Sequence, residues 1–275
     1  MTDIQGRTAF ITGGANGIGL GIARAFARAG ARIALADRDG EALARARSEL
    51  ETVTQIETCE LDVRDRTAFA AAAEAVERKL GPVSLLFNNA GVIVTESPGK
   101  LNYSLWDFAL GINLQGVING IQTFLPGMLA RGEGGHIVST SSGAGLAPAG
   151  SGTLYTTAKF AVVGLSESLR IELASSRIGV SVLCPGPVAT DIVHRSMEDA
   201  PSGAAELSPQ QEQRRWELRE QINRTLQRSI GPDAVGEMVR KAVEENSLYI
   251  HTDRTMESAI VARTEALLRS LPHPD

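Results

Sequence analysis

Ser142, Tyr155 and Lys159, with Asn113 upstream, are the residues of this chain whose types and spacing suit proton transfer. A phenol titrates near ~10, so Tyr155 is a poor base at neutral pH unless a neighbouring cation favours the phenolate. Lys159 stands four residues on, one turn away on the same face of a helix that the pattern predicts over residues 155–175. Ser142 closes the strand-like run Gly-His-Ile-Val-Ser-Thr-Ser-Ser, from which its hydroxyl could hold a substrate oxygen beside Tyr155. By itself Tyr-x-x-x-Lys is a common helix-surface pair, so the chemistry needs a second constellation.

The N-terminus supplies one. Residues 8–12, Thr-Ala-Phe-Ile-Thr, read as a buried strand that leads into Gly13-Gly14-Ala15-Asn16-Gly17-Ile18-Gly19 and then an amphipathic helix over residues 20–29. Glycine permits positive φ and lets backbone N–H groups approach a pyrophosphate at a helix N-terminus, where the dipole also favours an anion. The order strand, glycines, helix is that of a dinucleotide cradle. The spacing Gly-x-x-x-Gly-x-Gly differs from the common Gly-x-Gly-x-x-Gly, and a glycine-rich turn alone could be only a tight connection. A second strand, residues 31–36, ends at Asp37, eighteen residues past Gly19. A carboxylate there would hydrogen-bond the adenosine ribose hydroxyls and repel a 2′-phosphate, which favours NAD over NADP, as does the uncharged Asn16. Asp37 could also merely open the turn Asp37-Arg38-Asp39-Gly40, and Arg38 could meet a phosphate.

Together these residues resemble the short-chain dehydrogenase/reductase family, and the resemblance covers nearly the whole chain. It is carried by Thr12-Gly13-x-x-x-Gly17-x-Gly19, Leu61-Asp62-Val63, Asn88-Asn89-Ala90-Gly91, Asn113, Ser142, Tyr155-x-x-x-Lys159 and Pro185-Gly186-Pro187-Val188-Ala189-Thr190, in that order. The resemblance implies Tyr155 as acid/base, Ser142 orienting the substrate oxygen, and Lys159 binding the nicotinamide ribose while lowering the tyrosine pKa. Asn113 would hold a water linking Lys159 to solvent. The glycine loop with Ile18, and Asp37 with Arg38, would hold the diphosphate and adenosine. Asp62 and Val63 would contact the adenine, Asn89, Ala90 and Gly91 would line the cofactor cleft, and Pro185, Gly186, Val188 and Thr190 would hold the nicotinamide end.

Bland alternatives stay open at several of these positions. Asn113 lies inside a long helix pattern, residues 104–131, where asparagine ordinarily faces solvent or kinks the backbone. Asn88 and Asn89 follow the apolar strand 83–87 and could form a simple turn. Thr190 could be only the cap of a following helical turn.

The elements that must position these groups fit one α/β domain, residues 1–275, with 43% apolar residues to build its core. Strands predicted at residues 8–12, 32–36, 55–61, 83–87, 136–140, 180–183 and 248–251 alternate with helical stretches, the pattern of a doubly wound parallel sheet. The resemblance implies a Rossmann-type seven-stranded sheet in the order 3-2-1-4-5-6-7. The alanines of residues 68–75 suit a tightly packed helix.

Composition narrows the partners. Net charge is −5 with no basic stripe that would track a phosphate backbone, so nucleic acid is not expected. Arg214, Arg215, Arg219, Arg224 and Arg228 are interleaved with Glu212, Glu217 and Glu220, as on a solvated helix face. The first strand begins within ten residues of Met1 and no apolar run approaches a membrane span, so a cytoplasmic protein without membrane attachment is expected. Cys59 and Cys184 fall in predicted strands and read as buried and reduced. His136, His194, His251 and His273 lack metal-ligand spacing, so no metal is expected.

The substrate should lie beyond the C-terminal ends of the strands, between residues 92–103, 143–154 and 191–230. Val92, Val94, Leu146, Pro148 and Leu154 make that region apolar, and only His194 and Arg195 offer partners for an anion. A neutral, bulky alcohol or ketone fits best. Residues 191–207 read as a mobile lid. Ser208 should then start a helix, with Pro209 at its first position and Gln211 completing a capping box. Leu218, Ile222, Leu226 and Ile230 would pack it on the core, with Trp216 placed to cap the pocket.

Within the family the chain looks most like bacterial dehydrogenases that oxidise benzylic secondary alcohols of lignin-derived aryl ethers, through residues 155–169, 179–186 and the long C-terminal excursion. The leading expectation is an NAD-dependent secondary-alcohol dehydrogenase. The alternatives are an NADP-dependent carbonyl reductase and a catalytically silent dinucleotide-binding redox sensor. The resemblance also implies a homodimer or homotetramer, built on residues 104–131 and 155–176.

Overall fold

The computed structural model describes residues 2–148, 150, 152–198, 201 and 209–272. The expected capping residue Ser208, residues 199–200 and 202–207 of the expected lid, and His273 lie outside them.

Seven parallel strands form one sheet in the order β3-β2-β1-β4-β5-β6-β7. They are β1 (Thr8–Thr12), β2 (Arg32–Asp37), β3 (Ile56–Glu60), β4 (Val83–Asn88), β5 (Gly135–Thr140), β6 (Ile178–Cys184) and β7 (Tyr249–His251). Parallel strands need crossovers, and each crossover carries helix: α1 (Gly17–Arg28), α2 (Gly40–Leu50), α3 (Arg66–Leu80), α4 (Tyr103–Leu110) running on to α5 (Gly116–Arg131), α6 (Thr153–Glu172), and α7 (Ile192–Glu198) with α8 (Pro209–Gln227) and α9 (Pro232–Glu245). A last helix, α10 (Glu257–Arg269), follows β7, where the sequence pattern predicts no element.

Because side chains alternate along a strand, each strand feeds two cores. Ala9 and Ile11 of β1 join Phe26, Leu43 and Val239 on the side of α1, α2 and α9. Phe10 turns the other way, to Phe69, Phe124 and Val162 of α3, α5 and α6. Its ring centroid lies 4.8 Å from that of Phe124 and 5.8 Å from that of Phe69. Burying side chains of this size contributes about 1.5–3 kcal/mol each. Strands covered on both faces are therefore almost wholly buried, which is why they read as continuous apolar runs.

The helix expected over residues 104–131 is interrupted by a wider, π-helical turn at Gly111–Gln115, which contains Asn113. Two glycines bring this turn against the loop after β3. A Cβ on Gly116 would lie 2.7 Å from Val63 Cγ2, and one on Gly111 would lie 3.1 Å from Arg64 Cδ.

The excursion carries structure that its sequence pattern does not specify. Residues 192–198, within the expected lid, form a short helix in which Val193 is buried. Of the stripe expected along α8, Ile230 at its far end packs against the core while Ile222 is exposed; Trp216 is 56% exposed and lies outside the cleft lining.

At the end of the sheet away from the strands' carboxyl termini, His136 is fully buried. Its Nε2 lies 2.8 Å from Ser181 Oγ, and Ser181 itself donates to the carbonyl of Ser247. The serine oxygen must therefore accept, so Nε2 carries the proton and Nδ1 faces the Thr2 hydroxyl at 3.3 Å. Burial, with the Arg170 charge nearby, pulls the imidazole from 6.5 down to about 3. Below its ordinary value the unfolded chain thus takes up a proton that the folded chain refuses, and stability falls as pH falls from 6.5 toward about 3. Urea unfolding should show a loss of about 2 kcal/mol between pH ~7.5 and ~5 from this group. His136→Asn should flatten that stretch of the profile, and equal slopes in the two proteins would contradict the assignment.

Candidate functional site

The carboxyl ends of β1, β4 and β5 are tied together by two side chains. Thr12 Oγ1 accepts from the backbone N–H of Asn89 at 2.9 Å and of Ala90 at 3.1 Å. The Asn89 amide donates to the carbonyls of Thr12 and Gly13, both at 3.2 Å, and its oxygen accepts from the Thr140 hydroxyl at 3.3 Å. Here the crossover from β3 to β4 passes to the other side of β1, the switch point at which an open α/β sheet leaves a crevice. A cleft of about 320 Å³ runs from Asp37 past the glycine loop to Tyr155.

The glycine loop forms the cleft's middle. Gly13 and Gly17 have φ of 61° and 50°, which disfavour any side chain. A Cβ on Gly13 would lie 2.9 Å from Ala90 Cα, and one on Gly17 would lie 3.0 Å from Thr190 Cγ2. Gly19 lies outside the cleft lining, and a Cβ there would lie 2.1 Å from the Gly13 carbonyl, so it closes the loop on itself. Asn16 and Ile18 line the cleft, beside the first-turn amides of α1, which have no acceptor within the helix.

Asp37 serves both as turn and as wall. Its oxygens accept from the N–H groups of Ala15 and Asp39, each at 3.2 Å, anchoring the glycine loop, and it still lines the cleft with Arg38. Further along, Asp62 and Val63 reach the cleft. The Arg64 guanidinium grips both Asp62 oxygens at 2.5–3.0 Å and holds that carboxyl below its usual range.

At the other end, Asn113 is buried with its carboxamide fully used: the oxygen accepts from Val92 N–H at 3.2 Å, and the nitrogen donates to the carbonyls of Val92 at 2.9 Å and Ala109 at 3.0 Å. The side chain thus fixes the segment after Gly91. A Cβ on Gly91 would lie 2.9 Å from Asn113 Oδ1 and 3.4 Å from Lys159 Nζ, so this glycine is what admits the lysine.

Tyr155 and Lys159 sit one turn apart on α6, as expected. Lys159 Nζ donates to the Thr140 carbonyl at 3.0 Å and lies 5.5 Å from the Tyr155 ring centroid. Burial pulls its ammonium down to about 8. The Tyr155 phenol is pushed up by burial, against the opposing effect of a hydrogen bond to Ser142. Desolvation thus disfavours the charged form of both groups, opposing the lowering of the tyrosine expected from Lys159.

Pro185 and Thr190 line the cleft, whereas two of their expected companions do not. Gly186 donates its N–H to Thr252 Oγ1 at 3.0 Å and backs onto Asp253, and Val188 is buried in a parallel bridge with Ile230. Asn88 packs against Gly120 rather than the cleft. Of the expected apolar walls only Val92 reaches the cleft; Val94 and Leu154 pack with Leu105 and Phe108 behind it. Sequence reading missed Arg64, Ile112, Thr140, Ser196 and Pro232 in the lining. Only Arg64, two residues past Asp62, carried a signal, since an arginine so placed can fold back on the carboxylate.

The family model for short chain dehydrogenases matches residues 7–201. A C alpha-dehydrogenase of Sphingobium sp. is 36% identical over 274 residues, covering 98% of this chain and 88% of its own. A 3beta-hydroxysteroid dehydrogenase of Eggerthella lenta is 35% identical over 69% of this chain and 74% of its own. Among solved structures, a short chain dehydrogenase/reductase from Burkholderia phymatum in complex with NAD superposes with a TM-score of 0.90 at 31% identity, covering 100% of this chain and 99% of the other. The apo form of LigD from Sphingobium sp. gives 0.80 at 34% identity, covering 99% and 100%. With the sheet order, the glycine loop and the Ser142–Tyr155–Lys159 cluster in place, the chain belongs to the short-chain dehydrogenase/reductase family and is an alcohol dehydrogenase or reductase.

Proposed function

We propose that the protein oxidises a neutral, bulky secondary alcohol to a ketone with NAD. The observation that carries this reading is the Tyr155 hydroxyl, bonded to Ser142 with Lys159 one turn behind it, at the end of a cleft shaped for a dinucleotide. Gly13, Gly17 and the first turn of α1 would hold the diphosphate. Asp37, Arg38 and Asp62 would hold the adenosine, and Lys159, Pro185 and Thr190 the nicotinamide riboside. NAD, when bound, supplies the hydride acceptor.

Tyr155 takes the alcohol proton on its phenolic oxygen, while Ser142 holds the substrate oxygen in line. Tyr155 must therefore be phenolate, its own proton already given up to solvent, and it becomes phenol on transfer; Lys159, as ammonium, stabilises the phenolate beforehand, an attraction strengthened by the same burial that disfavours each charge alone. Asn113 is a positioning residue, locking Val92 beside the reacting groups. The apolar Val92 and Ile112 at this end suit a neutral substrate. Two relatives, one named a C alpha-dehydrogenase and one a 3beta-hydroxysteroid dehydrogenase, support a carbinol substrate of some bulk. Asp37 and the NAD-bound neighbour support NAD over NADP.

Tyr155→Phe keeps the ring volume and removes the proton acceptor, so turnover should fall by at least ~10²-fold with dinucleotide binding retained. Undiminished turnover on a panel of secondary alcohols would end the mechanism. Lys159→Met removes the cation that favours phenolate, so the residual oxidation rate should rise only at higher pH than in the wild type. Asp37→Ser should weaken NAD and relieve repulsion of the 2′-phosphate, narrowing the preference in paired NAD and NADP titrations. A wild-type preference for NADP would instead favour a carbonyl reductase.

A further inference from the structure

Helix α7 lies across the cleft and is fastened to three of its rims. Arg195 donates to Asp39 Oδ2 at 2.7 Å, in the turn after β2. In the amide orientation that satisfies both its ends, Asn16 accepts from both terminal nitrogens of Arg195, at 2.7 and 3.2 Å, within the glycine loop. Ser196 accepts from the N–H of Ile93 at 2.9 Å, in the segment after β4. Val193 is buried beneath the helix, and Arg195 and Ser196 themselves line the cleft.

We propose that Arg195 is a latch: its contacts with Asp39 and Asn16 hold α7 down over the dinucleotide, and the cofactor leaves only when they break. This rests on the dinucleotide reading of the cleft made above. The chemistry suits a contact that must open in every cycle. Asp39 already spends one oxygen on the Ala42 N–H at the start of α2, leaving the other for Arg195. Both partners are about one third exposed, 34% and 35%, so the pair is weak and screened by salt. The planar guanidinium reaches both rims at once, which a lysine could not do. Arg195 would thus be a positioning residue that sets the lifetime of the bound cofactor without touching the proton transfer at Tyr155.

The test is the dissociation rate of NADH, followed by stopped-flow displacement of its fluorescence. The proteins compared are wild type, Arg195→Met, Asp39→Asn and the double variant. Asparagine keeps the oxygen that caps α2 and removes only the charge. Each single variant should release NADH roughly 5-fold faster, the size of change that losing a weak ion pair allows. The double variant should match Arg195→Met, and added salt should speed release from wild type more than from Arg195→Met. Wild-type release rates in both single variants, or effects that multiply in the double, would overturn the latch. A purely structural role would lower the unfolding midpoint and leave release unchanged. If neither NADH nor NADPH bound the wild type, the cofactor reading would fall and the latch with it. Tight binding with unaltered release would overturn the latch alone.

Discussion

Asn89 is the residue on which the site depends. One carboxamide joins the ends of three adjacent strands, donating to the carbonyls of Thr12 and Gly13 and accepting from Thr140. These groups lie where the ladders of β1, β4 and β5 stop, so without a side-chain partner they would need water in a partly buried place. Two consequences follow. The glycine loop is held against the segment 89–91 closely enough that no Cβ fits at Gly13, and Thr140 is held so that its carbonyl meets Lys159 Nζ. The glycine loop and Lys159 therefore share one scaffold.

A second constraint is electrostatic. Tyr155 and Lys159 line the cleft where burial disfavours the charged form of each, drawing the lysine down to about 8 and pushing the phenol up. Such a pair is costly to keep and responsive to charge introduced nearby, because attraction grows as the local dielectric falls. Backbone groups make the arrangement tolerable: the Thr140 carbonyl takes the ammonium, and the π-helical turn at Asn113 supplies the bonds that hold Val92 in place. Widened turns of this kind cost helix regularity and persist where a side chain must be aimed.

The long stretch after β6 shows the opposite economy. Its first helix is tied down by a few polar contacts and one buried valine, while α8 keeps Trp216 and Ile222 in solvent. Few buried apolar contacts mean low local stability, the property expected of an element that opens and closes. α10 likewise buries none of its residues, with Arg263 resting 5.1 Å from the Phe160 ring of α6. Among the described residues no helix is long and apolar enough to cross a membrane.

Much of this was legible in the sequence because it is governed by local rules. Apolar runs broken by helical periods specify a parallel sheet, since strands covered on both faces have no polar side. Glycines between a strand and a helix specify a cradle, since only they adopt the φ of Gly13 and Gly17. The i, i+4 spacing put Tyr155 and Lys159 on one face without reference to the rest of the chain. Contacts between residues far apart in the chain were decided only by tertiary structure. The sequence offered Gly19, Gly186 and Val188 as companions of the cleft, but packing turned them toward the Gly13 carbonyl, Asp253 and Ile230. Arg195 appeared as a loose cation near the substrate, and folding brought it across 156 residues to Asp39. Whether Lys159 lowers or fails to lower the Tyr155 pKa is a balance of attraction against desolvation. Spacing determines the first and burial the second, and burial exists only once the chain has folded.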